Sequence, residues 1–300
     1  MGKEEIIMGF YNSFKMKYLT TKVNKNFKKD KNLQEELQKN SEFKNLHKGQ
    51  RCFIVGNGPS LKDEDLSTLK DEVVFTVNKI ANLPQFNEMK TNYHFWADPA
   101  FFALSPDNEE DLELVKTFFA IKTEENNPIC FLPSFAGKFI ENFNVKEKLN
   151  IRIYSAPFPF MDGEKREIDF TKPTLSYQNV VQFAIAMAVY MGFSEIYLLG
   201  CDSTGLISTI QAYLNEEVSE FAYNVSENEK KFLKKMAENR EYGIESDFLG
   251  WARILHLYGE LYKYCSSRNI KLVNCSSKTI VDSIPRESLT DVLKRGNNGK

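Results

Sequence analysis

Apolar and polar residues follow one another in blocks that predict an open α/β domain. Short apolar runs, typical of buried strands, are bounded by turn residues and separated by segments with helical spacing. The predicted strands cover residues 51–55, 73–77, 93–97, 128–132, 151–154, 195–199 and 270–274. Because strands alternate with helices, we predict a Rossmann-like, mostly parallel sheet with helices on both faces.

The predicted helices between these strands differ in character. The longest is an apolar helix over 175–191, and Gly192 is well suited to its C-terminus. Shorter helices are predicted over 62–69, 248–266 and 286–293. Residues 203–250, called the lid below, are polar with one predicted helix over 227–239. Long segments of this kind are usually functional, so we expect a lid over the carboxyl ends of the strands.

The first 48 residues form a predicted basic helical extension. Apolar residues recur at helical spacing among lysines, namely Ile6, Ile7, Phe10, Phe14 and Tyr18. Such a helix can contact an anionic membrane through residues 1–30, or pack on its own domain or on a second subunit as a homo-oligomer. Packing on its own domain or on a second subunit is preferred over membrane contact, because the apolar stripe of the helix is modest. A single α/β domain over 49–293 and a tail over 294–300 complete the predicted organisation.

Charge and cysteine content narrow the class of protein. The net charge of −2 combines +5 over residues 1–50 with −4 over 206–250, so we expect no general nucleic-acid binding. The five cysteines form no CxxC pair, which predicts free thiols in a reducing compartment and no metal site. The longest apolar stretch, 180–193, is too short to span a bilayer, and no secretory signal is visible. These features predict a cytoplasmic protein.

Polar residues follow four of the predicted strands. The first strand runs into the loop Gly56-Asn57-Gly58-Pro59-Ser60, and later strands end at Asn78, Asp98 and Asp202. Ligands of open parallel sheets bind beyond the carboxyl ends of the strands. We therefore expect these residues to converge on one crevice.

The glycine loop itself predicts an anion-binding turn. Gly56 and Gly58 are expected to reach positive φ and to let the backbone approach a ligand, while Pro59 stiffens the turn. Ser60 is expected to cap the following helix, whose first amides would face an anion. The loop lacks the lysine of a P-loop and the third glycine of the dinucleotide fingerprint. A glycine turn that merely connects strand to helix is the alternative.

Four segments together resemble a known superfamily. "FIVGNGPSL", "VFTVNK", "FWADPAFF" and "AVYMGFSEIYLLGCD" resemble the strand-end series of the bacterial sialyltransferases, whose fold is GT-A-related. The wider superfamily includes flagellin-modifying glycosyltransferases and 6-hydroxymethyl-7,8-dihydropterin diphosphokinase-like domains. The resemblance covers roughly residues 50–205.

This resemblance implies a nucleotide held in the crevice. Asn57 and Asn78 occupy the positions of the two asparagines that contact the cytidine nucleotide in the sialyltransferases. Ser60 is implied to lie near the donor phosphate. The start of the long helix, around Ser176 and Asn179, is implied to lie near the nucleotide phosphate. Two lid tyrosines are implied donors to the leaving phosphate, Tyr213 and Tyr223.

The general base is less defined. The resemblance implies a lid histidine, but the lid contains none. An acceptor hydroxyl must lose its proton as the new bond forms, so carboxylates are the candidates. They are Asp98, Asp202, Glu245 and Asp247. His256 is a further candidate, although a structural role within the stripe Trp251, Leu255, Tyr258 and Tyr262 is preferred for it.

Three functions follow as hypotheses. The favoured one is a glycosyltransferase that moves a sugar from a nucleotide-activated donor, a CMP-linked acidic sugar, to a glycan acceptor in surface polysaccharide synthesis, with no tightly bound cofactor. The second is a 6-hydroxymethyl-7,8-dihydropterin diphosphokinase-like enzyme that uses ATP and magnesium. The third is a nucleotide-binding protein without catalysis. Some contact with the inner face of the membrane is compatible with the first.

Overall fold

The chain folds around one parallel sheet. The computed structural model describes residues 3–214, 222, 227, 230 and 243–297. Seven strands form this sheet in the order β5-β4-β3-β2-β1-β8-β9. The strands are β1 (Arg51–Val55), β2 (Val74–Val77), β3 (Thr91–Phe95), β4 (Ile129–Pro133), β5 (Asn150–Tyr154), β8 (Glu195–Leu199) and β9 (Lys271–Asn274). A separate ribbon pairs β6 (Phe158–Pro159) with β7 (Leu175–Ser176).

The strand order reverses beside β1. From β1 the chain moves outward through β2, β3 and β4 to β5, and then returns to place β8 on the other side of β1. All of these pairs are parallel. The α/β, mostly parallel prediction is thus confirmed, and the predicted strands match the observed ones to within two residues at each end. The ribbon β6–β7 was not predicted, because two-residue strands carry no periodicity.

Helices cover both faces of the sheet. They are α1 (Lys3–Lys29), α2 (Lys31–Gln38), α3 (Glu109–Phe119), α4 (Gly137–Asn142), α5 (Val145–Lys148), α6 (Val180–Tyr190), α7 (Gly205–Tyr213), α8 (Ile244–Ser266) and α9 (Leu289–Asn297). Helix α6 is apolar nearly all round and almost wholly buried, so it lies in the interior rather than at the surface. It packs on β1, β2 and β3, and α8 covers it from outside.

Four predicted helices were wrong in type or length; one of them, predicted over 248–266, begins at Ile244 as α8. Residues 62–69 form no α-helix; two short 3-10 helices, Pro59–Asp63 and Leu66–Leu69, take their place. The helix predicted from residue 175 begins at Val180, because β7 occupies 175–176 and Asn179 caps the helix. Helix α9 continues to Asn297, beyond the predicted end at 293. The helix predicted over 227–239 lies outside the described residues except at positions 227 and 230.

The end of the N-terminal extension is part of the domain. Leu37 and Phe43 are buried in the core, and the Asn40 side chain donates to the carbonyls of Ile153 (2.8 Å) and Phe170 (3.0 Å). The extension is helical as predicted, but its membrane contact stays a prediction. In the part of the chain that the structure describes, no helix combines the length and the apolar character needed to cross a membrane. All five cysteines are buried free thiols, as predicted from their spacing; the reducing compartment stays a prediction.

Candidate functional site

A crevice of about 570 Å³ opens at the carboxyl ends of β2 to β5. The start of α6 and the ribbon strand β7 close its other side. Its polar lining consists of Asn78, Asp98, Ser134, Ser155, Ser176, Gln178 and Asn179, and its apolar lining of Ala97, Pro99, Pro133, Phe135, Tyr154, Ala156, Pro157, Tyr177, Val180 and Phe183. A concave site of this size suits a nucleotide or sugar, with neutral hydrogen-bonding groups to orient it.

Only part of the predicted set lines this crevice. Asn78 and Asp98 do so from the ends of β2 and β3, and Ser176 and Asn179 do so from the start of α6. The glycine loop and Asp202 are not among the lining residues. They form a separate cluster where the loops after β1 and β8 meet. In this structure the crevice is lined from the ends of β2 to β5, and contact of the loops after β1 and β8 with the same ligand stays a prediction.

This cluster, named the clasp here, consists of Gly56, Gly58, Ser60, Gly200 and Asp202. Ser60 donates twice to the Asp202 carboxylate, from its amide to Oδ2 (2.8 Å) and from its hydroxyl to Oδ1 (2.5 Å). Both residues are buried, at 0% and 1% exposure. Burial raises the pKa of Asp202, and the hydrogen bonds from Ser60 act in the opposite direction. Asp202 thus joins two loops in the interior instead of facing a substrate.

The glycines of the clasp serve close packing. A Cβ on Gly58 would come within 2.5 Å of Asp202 Cγ and 2.6 Å of the Gly200 oxygen, and one on Gly56 would overlap that same oxygen. Neither Gly56 nor Gly58 has the positive φ that was predicted. Positive φ occurs instead at Gly200 (φ 57°), where a side chain would also meet Leu61. Glycine is needed at these positions so that the loops after β1 and β8 can pack against each other.

Ser60 was expected to cap an α-helix, but it does not. It lies inside the five-residue 3-10 helix Pro59–Asp63, with Gly58 at the N-cap and Pro59 in the first turn. Its amide is already bonded to Asp202. The prediction that amides at this point face an anion is therefore wrong for Ser60, because a carboxylate of the protein itself takes the anion's place.

Asn57 and Asn78 lie at the ends of adjacent strands. Asn57 Nδ2 donates to the carbonyl of Val77 (3.2 Å), which ties β1 to β2, and the Asn57 carbonyl accepts from the amide of lid residue Ala222 (3.1 Å). Asn78 has a left-handed conformation (φ 49°) that few residues other than Asn and Gly adopt. The Oδ1 atoms of Asn57 and Asn78 are buried and have no hydrogen-bond partner among the described residues. Their contact with a nucleotide remains a prediction.

Asp98 is the carboxylate of the crevice. It is exposed and caps the short 3-10 helix Pro99–Phe102, with Oδ1 accepting from the Ala100 amide (3.0 Å). Among the described residues, no hydrogen bond occupies Oδ2. Asp98 therefore has one oxygen fixed by its own loop and one directed away from that bond, which is an arrangement suited to a base or a ligand contact.

The start of α6 is firmly held at the crevice. Asn179 Oδ1 accepts from the Gln182 amide (3.0 Å) and Gln182 Oε1 accepts from the Asn179 amide (3.3 Å), which makes a capping box. Asn179 Nδ2 also donates to Tyr258 Oη of α8 (3.1 Å), and Gln182 Nε2 donates to the Ile254 carbonyl (2.9 Å). The partial positive charge of this helix end thus faces the crevice from a rigid position.

The remaining lid candidates lie elsewhere. Glu245 and Asp247 stand in the first turn of α8, and Tyr213 Oη at the end of α7 donates to Asp247 Oδ2 (3.2 Å). None of these three lines the crevice in this structure. Tyr223 lies outside the described residues. The proposed contacts of these four residues with a substrate stay predictions.

A structural role within a packed stripe was the preferred interpretation of His256, but its side chain is not packed in this way. It is exposed on α8, and its Nε2 lies 2.8 Å from Asp162 Oδ1. The buried side of α8 carries Leu257, Tyr258, Leu261, Tyr264 and Cys265 instead of the predicted stripe, of which only Tyr258 is fully buried. His94, by contrast, is buried inside β3. Its Nδ1 lies 2.8 Å from Thr76 Oγ1, and burial lowers its pKa to about 3.

Sequence reasoning missed half of the crevice. Ser134 and Phe135 follow β4, Ser155 follows β5, and Gln178 precedes α6. Both strands had been predicted, so reading the residues after them in the same way would have found the first three. Gln178 had no such signal, because the ribbon that places it was not predictable.

Comparisons with known proteins found several solved structures. A search of curated proteins gave no match. The solved structures that this chain matches include the sialyltransferase CstII from Campylobacter jejuni in complex with CMP-3FNeuAc (17% identity, TM-score 0.43, covering 80% of this chain and 86% of that one). Another is the sialyltransferase CST-II in complex with trisaccharide acceptor and CMP (18%, TM-score 0.42, 79% and 85%). A third is the monofunctional alpha-2,3-sialyltransferase Cst-I from Campylobacter jejuni (18%, TM-score 0.40, 79% and 80%).

A family profile gives the firmer assignment. The profile described as 6-hydroxymethylpterin diphosphokinase MptE-like matches residues 26–205. This range contains β1 to β8 and every described residue that lines the crevice. It also confirms the superfamily suggested by the four strand-end motifs. The chain belongs to the 6-hydroxymethylpterin diphosphokinase MptE-like family.

Proposed function

We propose that the protein is a glycosyltransferase that moves a sugar from a nucleotide-activated donor to a glycan acceptor. The observation that carries this proposal is the chemistry of the crevice: neutral amide and hydroxyl side chains surround one carboxylate, Asp98, and a helix start. Amides and hydroxyls bond to the many hydroxyl groups of sugars, and a helix N-terminus favours a phosphate. A CMP-linked acidic sugar is the preferred donor, on the strength of the strand-end motifs, and a surface polysaccharide the preferred product.

In the proposed reaction Asp98 is the general base. Its Oδ2 takes the proton of the acceptor hydroxyl while the acceptor oxygen forms a bond to the anomeric carbon of the donor. The bond between that carbon and the phosphate oxygen breaks, and its electron pair leaves with the nucleoside monophosphate. The start of α6, with Ser176 and Asn179, stabilises the negative charge of the departing phosphate.

A first experiment tests binding and a second tests chemistry. A thermal-shift screen with CMP, UDP, GDP and ATP, with and without magnesium, should show stabilisation by CMP without magnesium, because a ligand that binds only the folded state raises its stability. Release of CMP from CMP-N-acetylneuraminate then reports donor use. If none of the nucleotides or nucleotide sugars binds and no CMP is released, the proposal is wrong.

The Asp98→Asn variant separates catalysis from binding. We expect it to keep the CMP-dependent thermal shift and to lower transfer roughly 10²- to 10⁴-fold, as loss of a general base does. Asp107→Asn removes another exposed carboxylate outside the crevice and should leave both unchanged. Full transfer activity in Asp98→Asn would remove Asp98 from the proposed role.

A second candidate is pyrophosphoryl transfer from ATP to a hydroxymethyl pterin. Membership of the diphosphokinase-like family favours it, and so does the carboxylate at the mouth of the crevice. One carboxylate together with phosphate oxygens is a coordination that magnesium accepts, so Asp98 would hold the ion, which would neutralise phosphate charge. Magnesium-dependent stabilisation by ATP, with turnover of the pterin alcohol, would favour this function over the first.

A further inference from the structure

An aromatic ring stands exposed at the mouth of the crevice. Phe135 lies in the 3-10 helix Ser134–Ala136 that follows β4, and it lines the crevice. Its side chain is 59% exposed, the largest exposure of any phenylalanine whose side chain the structure describes. Leaving so much apolar surface in water gives up about 1 kcal/mol or more of burial energy. The position thus offers an exposed, flat apolar face beside the polar groups of the crevice.

The ring is held in place from behind. It makes an edge-to-face contact with Phe102 (ring centroids 5.7 Å apart), and Phe102 contacts Phe118 (6.5 Å) and Phe139 (5.6 Å). Phe118 and Phe139 are buried, at 2% and 1% exposure. Phe135 is therefore attached to the hydrophobic core by a chain of aromatic contacts. A surface that is already fixed loses less conformational entropy when a ligand binds to it.

The same short loop fixes both the ring and the candidate base. Phe102 is the last residue of the 3-10 helix Pro99–Phe102, and Asp98 is its N-cap. Asp98 and Phe135 both line the crevice, on the side formed by the ends of β3 and β4. The start of α6, with Ser176, Gln178 and Asn179, forms the other side. One wall of the crevice thus carries the Asp98 carboxylate and the Phe135 ring. The other wall, called the helix-start wall, is formed by the start of α6.

We propose that Phe135 is the platform for the acceptor sugar. A pyranose ring has an apolar C–H face and a polar edge of hydroxyl groups, so it can lie flat on Phe135 while one hydroxyl reaches Asp98 Oδ2. The donor phosphate then occupies the helix-start wall, which places the attacking acceptor oxygen and the leaving phosphate oxygen on opposite sides of the anomeric carbon of the donor. This inference rests on the proposed glycosyltransferase function and adds the residue that selects the acceptor.

Two substitutions at Phe135 and one control test the platform. Phe135→Leu keeps an apolar side chain but removes the flat ring, whereas Phe135→Trp keeps a flat ring. Phe248→Leu is the matched control, since Phe248 is an exposed phenylalanine (44%) on α8 that does not line the crevice. Each full-length protein is applied, with saturating CMP, to a glycan microarray that carries galactose-, N-acetylgalactosamine- and sialic-acid-terminated oligosaccharides. The CMP-dependent thermal shift is measured in parallel.

The variants are expected to differ in glycan binding but not in CMP binding. Phe135→Leu should lose at least 10-fold in glycan binding with an unchanged CMP-dependent shift, while Phe135→Trp and Phe248→Leu stay within about 2-fold of the wild type. Equal glycan binding by Phe135→Leu, or no glycan bound by a wild type that binds CMP, overturns the inference and leaves the donor proposal standing. A weaker CMP shift in Phe135→Leu also overturns it, because the ring would then contact the nucleobase. A wild type that binds no nucleotide refutes the proposed function itself.

Discussion

The clasp and the crevice lie at the same end of the same sheet, yet they differ in almost every physical respect. In the clasp, Asp202 is buried and both of its oxygens accept from Ser60. In the crevice, Asp98 is exposed and only Oδ1 is bonded within the described residues. Both aspartates end a strand and both are followed by turn residues, so sequence position does not separate them. The two aspartates are distinguished only by the groups that surround each carboxylate in the folded protein.

The contrast between the clasp and the crevice shows where a polar residue that follows a strand takes a structural role. The clasp forms where the strand order reverses, between β1 and β8, which are direct neighbours in the sheet. Their loops touch because Gly56, Gly58 and Gly200 have no side chains. The residues after β2 to β5 and the start of α6 instead line a crevice of about 570 Å³. Four predictions test this comparison.

The largest effect is expected at Gly58. In Gly58→Ala the added Cβ would lie within 2.5 Å of Asp202 Cγ and 2.6 Å of the Gly200 oxygen, and part of this obstacle is backbone that cannot rotate away. We expect a loss of about 3 kcal/mol in the free energy of unfolding, measured by urea denaturation. Gly137→Ala is the control, because no atom lies within 4 Å of its added Cβ. It should be neutral or stabilise α4 by up to about 1 kcal/mol.

Substituting each aspartate by asparagine compares the two regions directly. Asp202→Asn leaves one acceptor oxygen for two buried Ser60 donors and turns an amide NH₂ toward them, which should cost about 2 kcal/mol of unfolding free energy. Asp98→Asn should change stability by less than about 0.5 kcal/mol, since asparagine caps as well as aspartate does. Urea denaturation of both variants measures the contrast. Equal losses of stability in the two would contradict the distinction between clasp and crevice.

Acid should destabilise the sheet through His94, which is buried in β3, one of the strands whose ends form the crevice. Its pKa in the folded protein is about 3, whereas an unfolded histidine titrates near 6.5. Below the unfolded pKa the unfolded state binds a proton that the folded state does not, so stability falls as the pH falls. Between pH 7 and pH 5 this contribution is about 2 kcal/mol. The difference in unfolding free energy between these two pH values should shrink by that amount in His94→Gln.

The smallest effect is expected at the start of α6. Asn179→Ala removes the capping box and should cost about 1 kcal/mol of unfolding free energy. Asn108→Ala is the control for cap loss, because Asn108 caps α3 by accepting from the Glu110 amide (2.9 Å) and does not line the crevice. Asn179→Ala should lose more stability than Asn108→Ala, because Asn179 also donates to Tyr258 Oη, and only Asn179→Ala should weaken the CMP-dependent thermal shift. Equal nucleotide binding in the two would show that the start of α6 does not contact the phosphate.

Much of the fold was predictable from local pattern. The seven strands of the main sheet followed from short apolar runs that end in turn residues, and the family followed from the motifs at those ends. Asn78 and Asp98 were found in the crevice because a parallel sheet brings consecutive strand ends to one edge. The lid histidine of the resembling enzymes is absent from 203–250, and that too was visible in the sequence.

The sequence by itself determined which strands exist, where polar residues follow them, and that a parallel sheet collects those residues at one edge. Only the tertiary structure decided which of them face a ligand, because that depends on the strand order and on how closely neighbouring loops pack. The glycines after β1 were expected to make room for a ligand, and the space is filled by Gly200 and Asp202 instead. Phe135 directly follows a predicted strand, so its place at the crevice could have been read from the sequence. Its contact with Phe102, which lies 33 positions earlier in the chain and packs behind the ring, was decided only by the tertiary structure.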